Sequence, residues 1–186
     1  MDKTVKNSLQ ALIIYWSGTG NTEKVARAIH ESLVEMQVKS TLKVVTEASG
    51  EDLHQYDWIF IGAPSHSWLP PKPMLNYIEN KMKFYREKGV IQLCAPKVPG
   101  KKGVVFCTYS GPHTGINEAI PVGKYIGQFL EHIGFEVVGE WYVPGEFHGH
   151  VNRNIKGKLG DIRGRPNQQD LDKVKADLVN LLRPAR

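Results

Sequence analysis

Cysteine is scarce in this sequence: Cys94 and Cys107 are the only two in 186 residues. Two thiols cannot form the disulfide framework of a small secreted fold. Each lies beside apolar residues, so both are expected to be reduced and partly buried, which points to the cytoplasm. Long apolar runs are missing too. Stretches such as Ala11 to Trp16 are too short to span a bilayer, and the start, Met1 to Lys6, is polar and lacks a signal peptide's apolar core. Neither secretion nor a membrane span is expected. Nor is there an acidic excess: 24 Lys and Arg stand against 19 Asp and Glu, for a formal charge of +5 and a pI of about 9.1. That balance favours acidic partners over basic ones. Nucleic acid is not implied, because the basic residues are scattered among loops and no reading motif is present. Repeats and low-complexity segments are also lacking. What remains is a chain 41% hydrophobic and 23% charged, the balance of a globular protein and not of a disordered tail or fibre, and its length suits a single domain over residues 1–186.

Ala11 to Trp16 is a continuous apolar run, expected to be a strand buried on both faces, and it stops at Ser17-Gly18-Thr19-Gly20. Thr22, Ala26, Ile29, Leu33 and Met36 then recur at helical spacing. The alternation repeats. Thr41 to Thr46, Asp57 to Gly62, Gly103 to Thr108 and Phe135 to Tyr142 read as further strands. Met74 to Tyr85, the stripe Ile126, Phe129, Leu130 and Ile133 after Pro121, and the stripe Leu171, Val174, Leu178 and Leu181 read as helices. Strands that alternate with helices need crossover connections, which make parallel sheets covered on both faces. The expected fold is therefore α/β, a three-layer doubly wound five-stranded parallel sheet. Its core covers about 11–142 and its closing helix about 170–183. Two stretches exceed the minimal pattern: a basic connection from Lys88 to Lys102, and a basic Gly-rich insertion at about 144–169 with five Lys or Arg. Loops of that length in a compact domain are commonly functional.

In open parallel sheets, ligands bind beyond the carboxyl ends of the strands, where the connection direction switches. Three loops end strands there. In the first, Ser17-Gly18-Thr19-Gly20-Asn21-Thr22, hydroxyls and the free amides opening the next helix can surround a phosphate. Two other phosphate loops are excluded: no Gly-Lys-Ser or Gly-Lys-Thr follows, and Glu23 stands where a dinucleotide fingerprint needs its third glycine. A plain tight turn would not require three hydroxyl residues and an Asn.

On Ser17, Thr19, Gly20, Asn21 and Thr22, placed directly after the first strand, the sequence resembles the flavodoxin-like superfamily. The resemblance runs from about Ala11 to Tyr142. It implies strand order 2-1-3-4-5 with flavin mononucleotide (FMN) at the switch point. The second loop, Pro64, Ser65, His66, Ser67 and Trp68, then falls where relatives flank the isoalloxazine ring. Trp68 either supplies an aromatic face to the ring or caps the core or a partner interface. His66 either tunes the flavin or is a solvated loop histidine. In the third loop, Thr108, Tyr109, Ser110 and Gly111 are candidates for the cofactor's edge, and His113 for a substrate or nicotinamide contact. This loop is neutral and carries Pro-His-Thr-Gly, resembling the quinone-reductase branch, which is tetrameric and uses a nicotinamide cofactor, more than the acidic loop of short-chain flavodoxins.

The resemblance implies an FMN-binding protein that transfers electrons through a non-covalently bound flavin, with no catalytic side chain. Its counterpart would be a redox protein, acidic given the +5 charge, or a small-molecule acceptor. An NAD(P)H-dependent reductase of quinones or similar acceptors, as a homo-oligomer, is the second implication. A flavin-free partner-binding domain is the third, opposed by the intact first loop. No metal is expected: His148 and His150 lack further ligands nearby and read as surface residues. Cys107 reads as a packing residue. The charge excess in Lys81 to Lys102 and Arg153 to Arg165 is expected to face a partner.

Overall fold

The computed structural model describes residues 9–183, so the polar start from Met1 to Lys6 lies outside the described residues. Five strands form one sheet: β1 (Gln10–Tyr15), β2 (Lys39–Val44), β3 (Trp58–Pro64), β4 (Lys102–Tyr109) and β5 (Glu136–Pro144). Every pairing is parallel and the order is β2-β1-β3-β4-β5, as expected. The crossovers carry α1 (Asn21–Glu35), α2 (Lys72–Glu87) and α3 (Ile120–His132). A short α4 (Val151–Ile155) and α5 (Gln168–Leu182) follow β5.

The alternation of side chains along each strand builds two cores. Ala11, Ile13, Phe60, Val104 and Phe106 meet Val25, Ile29 and Leu33 of α1 and Val174 and Leu178 of α5. Leu12, Ile14, Ile59, Ile61, Val105 and Cys107 meet Met74, Tyr77 and Ile78 of α2 and Val122, Ile126 and Phe129 of α3. Gly62 is required where the faces crowd, because a Cβ there would fall 1.9 Å from the Phe106 ring. Residues in the first turns start the helices. Pro71 precedes α2 and a proline sits in its first turn, while α5 opens with a capping box in which Asn167 and Asp170 each hold the other's backbone N–H.

Several boundaries differ from the sequence reading. The second strand lies earlier than Thr41–Thr46, because Val45–Glu47 tightens into a 3-10 turn. The third and fifth run on to Pro64 and Pro144, since β3, β4 and β5 stay paired that far, past a one-residue register shift between β4 and β5 at Gly103/Val104: Pro64 pairs with Thr108 and Tyr109 with Pro144. The insertion is not a bare loop, because it contains α4. Cys94 is exposed, not partly buried, in a turn where its φ is 64°. Cys107 is buried, and burial pushes its thiol pKa up. Among the described residues, no helix is long and apolar enough to cross a membrane.

Candidate functional site

Since all strands are parallel, every loop leaving a strand's carboxyl end exits on one edge. β1 ends at Tyr15, and the chain turns into α1 through Gly20, whose φ of 91° suits glycine. The Gly20 N–H donates to Ser17 Oγ at 3.1 Å and its carbonyl accepts from the Lys24 N–H at 3.0 Å. No side chain caps α1. Among the described residues, the N–H groups of Gly18, Thr19, Asn21, Thr22 and Glu23 find no acceptor. Five donors at the positive end of a helix dipole make a seat for an anion. The acid of that first turn, Glu23, is held by Arg27 at 2.6 Å.

Thr22 and Thr108 lie deeper, 1% and 2% exposed, with their hydroxyl oxygens 2.7 Å apart. One O–H serves that bond, so the pair keeps one hydrogen to donate elsewhere. Ser17, Thr19, Asn21, Thr22, Pro64, Ser65, His66, Thr108, Tyr109 and Ser110 all line one cavity of about 250 Å³. It continues, past Ser65, His66, Tyr109 and Ser110, into a second cavity of about 510 Å³ lined also by Ser67, Trp68, Gly111 and His113. Of the residues singled out in the sequence, Gly20 alone lines neither; it shapes the turn.

The second loop is a tight hairpin. His66 and Leu69 exchange both backbone hydrogen bonds at 3.0 Å, and the two residues between them, Ser67 and Trp68, have φ of 48° and 67°. That is the signature of a type I′ turn, rare for side chains this bulky. It holds Trp68 out, 61% exposed, so this indole does not cap the core. His66 sits edge-on to Trp16, with ring centres 5.6 Å apart. Ser65 is occupied: its N–H donates to the Thr108 carbonyl at 2.9 Å and its hydroxyl to the Glu118 carbonyl. Burial raises the pKa of Tyr109, which therefore stays a neutral phenol.

The insertion, read from the sequence as a source of extra walls, supplies one whose residues the sequence did not single out. Gly145, Glu146, Phe147 and His148 line the first cavity, and Phe147 and Arg153 the second. Asn21 Nδ2 donates to the Glu146 carbonyl at 2.9 Å, and the Gly145 N–H donates to the Tyr109 carbonyl at 2.8 Å. A Cβ on Gly145 would come within 2.8 Å of Asn21 Nδ2. Asn154, 2% exposed, accepts the Phe147 N–H at 2.7 Å and donates to its carbonyl at 3.0 Å. Arg153 stacks over the Phe147 ring, 4.8 Å from its centre. The signal that could have found this wall was topological, since the chain leaving β5 must exit on the ligand edge.

The charge assignment also needs correction. Lys81 does not face a partner: it is buried, donating to the carbonyls of Ser49 and Glu51. Lys88, Lys97 and Lys101 pair with Asp52, Glu136 and Asp57, Arg163 with Asp161, and Arg165 with the buried Asp170. Among the described residues, Arg153, Lys156 and Lys158 of the expected basic segments have no acidic partner within salt-bridge distance and are exposed. No group of three or more His, Cys, Asp or Glu in the described residues is placed to hold a metal ion.

A doubly wound sheet with an uncapped, hydroxyl-rich strand–turn–helix at its switch point is an α/β arrangement able to accept an anion. Residues 12–83 match the family model of the flavodoxin domain. The chain is 23% identical over 172 residues to an "NAD(P)H dehydrogenase (quinone)" of Archaeoglobus fulgidus, covering 77% of this chain and 85% of that protein. It is 28% identical over 97 residues to a flavodoxin of Clostridium beijerinckii, covering 52% and 62%. Oxidised flavodoxin 1 from Bacillus cereus superposes with a TM-score of 0.63 at 19% identity, covering 94% of this chain and 99% of that one. The chain has the flavodoxin-like fold, a five-stranded parallel sheet in the order 2-1-3-4-5 with helices on both sides.

Proposed function

We propose that this protein holds FMN non-covalently in the cleft of the switch point and passes electrons through it. The observation that carries the reading is the run of unpaired N–H donors opening α1, beside the hydroxyls of Ser17, Thr19 and Thr22. A dianionic phosphate satisfies those donors without a basic side chain. The cleft's second half suits a flat ring system: Trp68 and Phe147 offer aromatic faces, and the 64–68 and 108–111 loops offer backbone groups to its polar edge. The flavin supplies reversible electron acceptance. The protein's part is to bind, orient and shield it, and no side chain is assigned as acid, base or nucleophile. In this reading residues 1–186 form one domain, with the segment 144–169 belonging to the site.

The test is the absorbance of the purified protein followed by anaerobic reduction. A flavin spectrum is expected, and a colourless protein that takes up no added FMN overturns the reading. A second reading, a reductase of quinones or similar acceptors fed by NAD(P)H, is favoured by the 510 Å³ extension walled by His113 and Arg153 and by the names of the curated relatives. Rapid bleaching by NADH or NADPH identifies the reductase, whereas bleaching only by a reduced redox protein identifies a carrier.

A further inference from the structure

The seat at the start of α1 is built from uncharged groups, yet a phosphate monoester carries a charge of about −1.5 to −2 at pH 7. Among the described residues that line the smaller cavity there is no Lys or Arg. Only His66 and His148 can bring positive charge to it. The two are placed differently. His66 lines both cavities and sits edge-on to Trp16, whereas His148 lines the smaller cavity alone, together with Ser17, Gly18 and Thr19.

The backbone that carries His148 is tied down on both sides. Before it, Gly145 packs against Asn21, and the Glu146 carbonyl accepts the Asn21 Nδ2 hydrogen at 2.9 Å. After it, the His150 N–H donates to the Phe147 carbonyl at 3.3 Å, closing a β-turn with His148 and Gly149 at its centre. Gly149 has φ of 85°, the conformation that glycine supplies at the third position of such a turn. His148 thus stands, exposed, at the corner of a turn two residues from a contact with the first turn of α1. The other titratable groups of the cavity are His66, Tyr109 and Glu146. Burial keeps Tyr109 neutral, and Glu146 gives a carboxylate oxygen to the Gly164 N–H at 2.8 Å. Glu23, in the first turn of α1, is paired with Arg27 at 2.6 Å. Arg153, the next cation along the insertion, lies over the Phe147 ring and lines the larger cavity instead.

We infer that His148 is a binding residue for the phosphate of FMN: as an imidazolium it donates a charge-assisted hydrogen bond to a phosphate oxygen, in addition to the N–H groups that open α1. The inference rests on the FMN reading above and gives that site a charged residue from the insertion. Backbone amides keep their hydrogens across the neutral range, whereas histidine side chains lose their charge as pH rises through the region of 6.5. The contribution of His148 is therefore full in mild acid and fades in mild base. The phosphate of FMN and the ring of His66 titrate in the same range, but they do so with or without the His148 ring, so a comparison of wild type with a His148 variant isolates this residue.

The experiment titrates FMN and riboflavin into the full-length apo-protein by fluorescence, at pH 6 and at pH 8.5, in buffer free of phosphate and sulfate. Wild type is compared with His148→Ala and with His132→Ala, a control that removes a histidine from the end of α3, where it lines neither cavity. At pH 6, His148→Ala is expected to bind FMN roughly tenfold or more weakly than wild type, the loss of one charge-assisted hydrogen bond, and riboflavin within about twofold. At pH 8.5 the FMN gap is expected to close to about twofold or less, and His132→Ala to match wild type throughout. Equal losses for FMN and riboflavin would reduce His148 to a wall of the cleft and overturn the inference. So would an FMN gap of the same size at both pH values, or a His148→Ala protein that binds FMN as tightly as wild type at pH 6. Wild type that shows no preference for FMN over riboflavin would overturn the phosphate reading of the turn and this inference with it, so the two failures are seen separately.

Discussion

The side-chain amide of Asn21, at the first turn of α1, donates to the backbone carbonyl of Glu146 at 2.9 Å across 125 residues of sequence. That bond joins the uncapped turn that opens α1 to the segment after the last strand. The two ends of the cleft are therefore held by one structure, and the consequences of disturbing each end differ.

Thr22→Val removes one hydroxyl of a buried pair and leaves Thr108 Oγ1 without its partner. An orphaned buried hydroxyl costs about 1–3 kcal/mol, so urea unfolding of the apo-protein should show a loss of that size. The same variant removes a donor from the anion seat. FMN affinity should fall by about tenfold or more, while riboflavin affinity changes much less. Fluorescence titration with the two ligands checks this, and equal losses would remove Thr22 from the phosphate site.

Asn154→Ala acts at the other end. It leaves the Phe147 N–H without its acceptor and unseats the Phe147 ring from the cavity wall. Here FMN and riboflavin should weaken by the same factor, because the loss concerns the ring and not the phosphate. The paired titration distinguishes this outcome from that of Thr22→Val, and a variant that discriminates against FMN alone would contradict it.

Asp170 gives a pH dependence. Burial pulls its carboxyl pKa up, but the bonds from Arg165 and the Asn167 N–H outweigh that pull and hold it below the ordinary value. A depressed folded-state pKa means the stabilisation is full above the unfolded value of about 3.9 and is lost as pH falls through the lower folded one. Wild type should thus exceed Asp170→Asn in stability at pH 7 by a margin that narrows below about pH 4. Denaturant curves at pH 7, 5 and 3 measure it, and a margin unchanged at pH 3 would contradict the assignment. Since Arg165 and Asn167 close the insertion onto α5, the same variant should loosen the wall that carries Phe147.

Much of the fold and half of the cleft are legible in the amino-acid sequence. The buried strands and amphipathic helices announce their periods, and the loop from Ser17 to Thr22 carries its chemistry in residue types. The rest depends on distance in three dimensions. Phe147 and Glu146 read as loop residues, because nothing local ties them to Asn21 or Tyr109. Lys81 reads as a surface cation, because its acceptors are backbone carbonyls some thirty residues away, which have no residue signature. The outward aim of Trp68 follows from a turn whose two central residues lack the glycine that would have revealed it.

The most direct test of the account compares FMN with riboflavin on the wild-type apo-protein, by fluorescence titration in buffer free of phosphate and sulfate. If the uncapped turn of α1 is the phosphate seat, FMN should bind at least about a hundredfold more tightly than riboflavin, the scale of two charge-assisted hydrogen bonds at about 1.5–3 kcal/mol each, and inorganic phosphate should weaken FMN binding. Equal affinities for the two ligands, indifferent to phosphate, would contradict it.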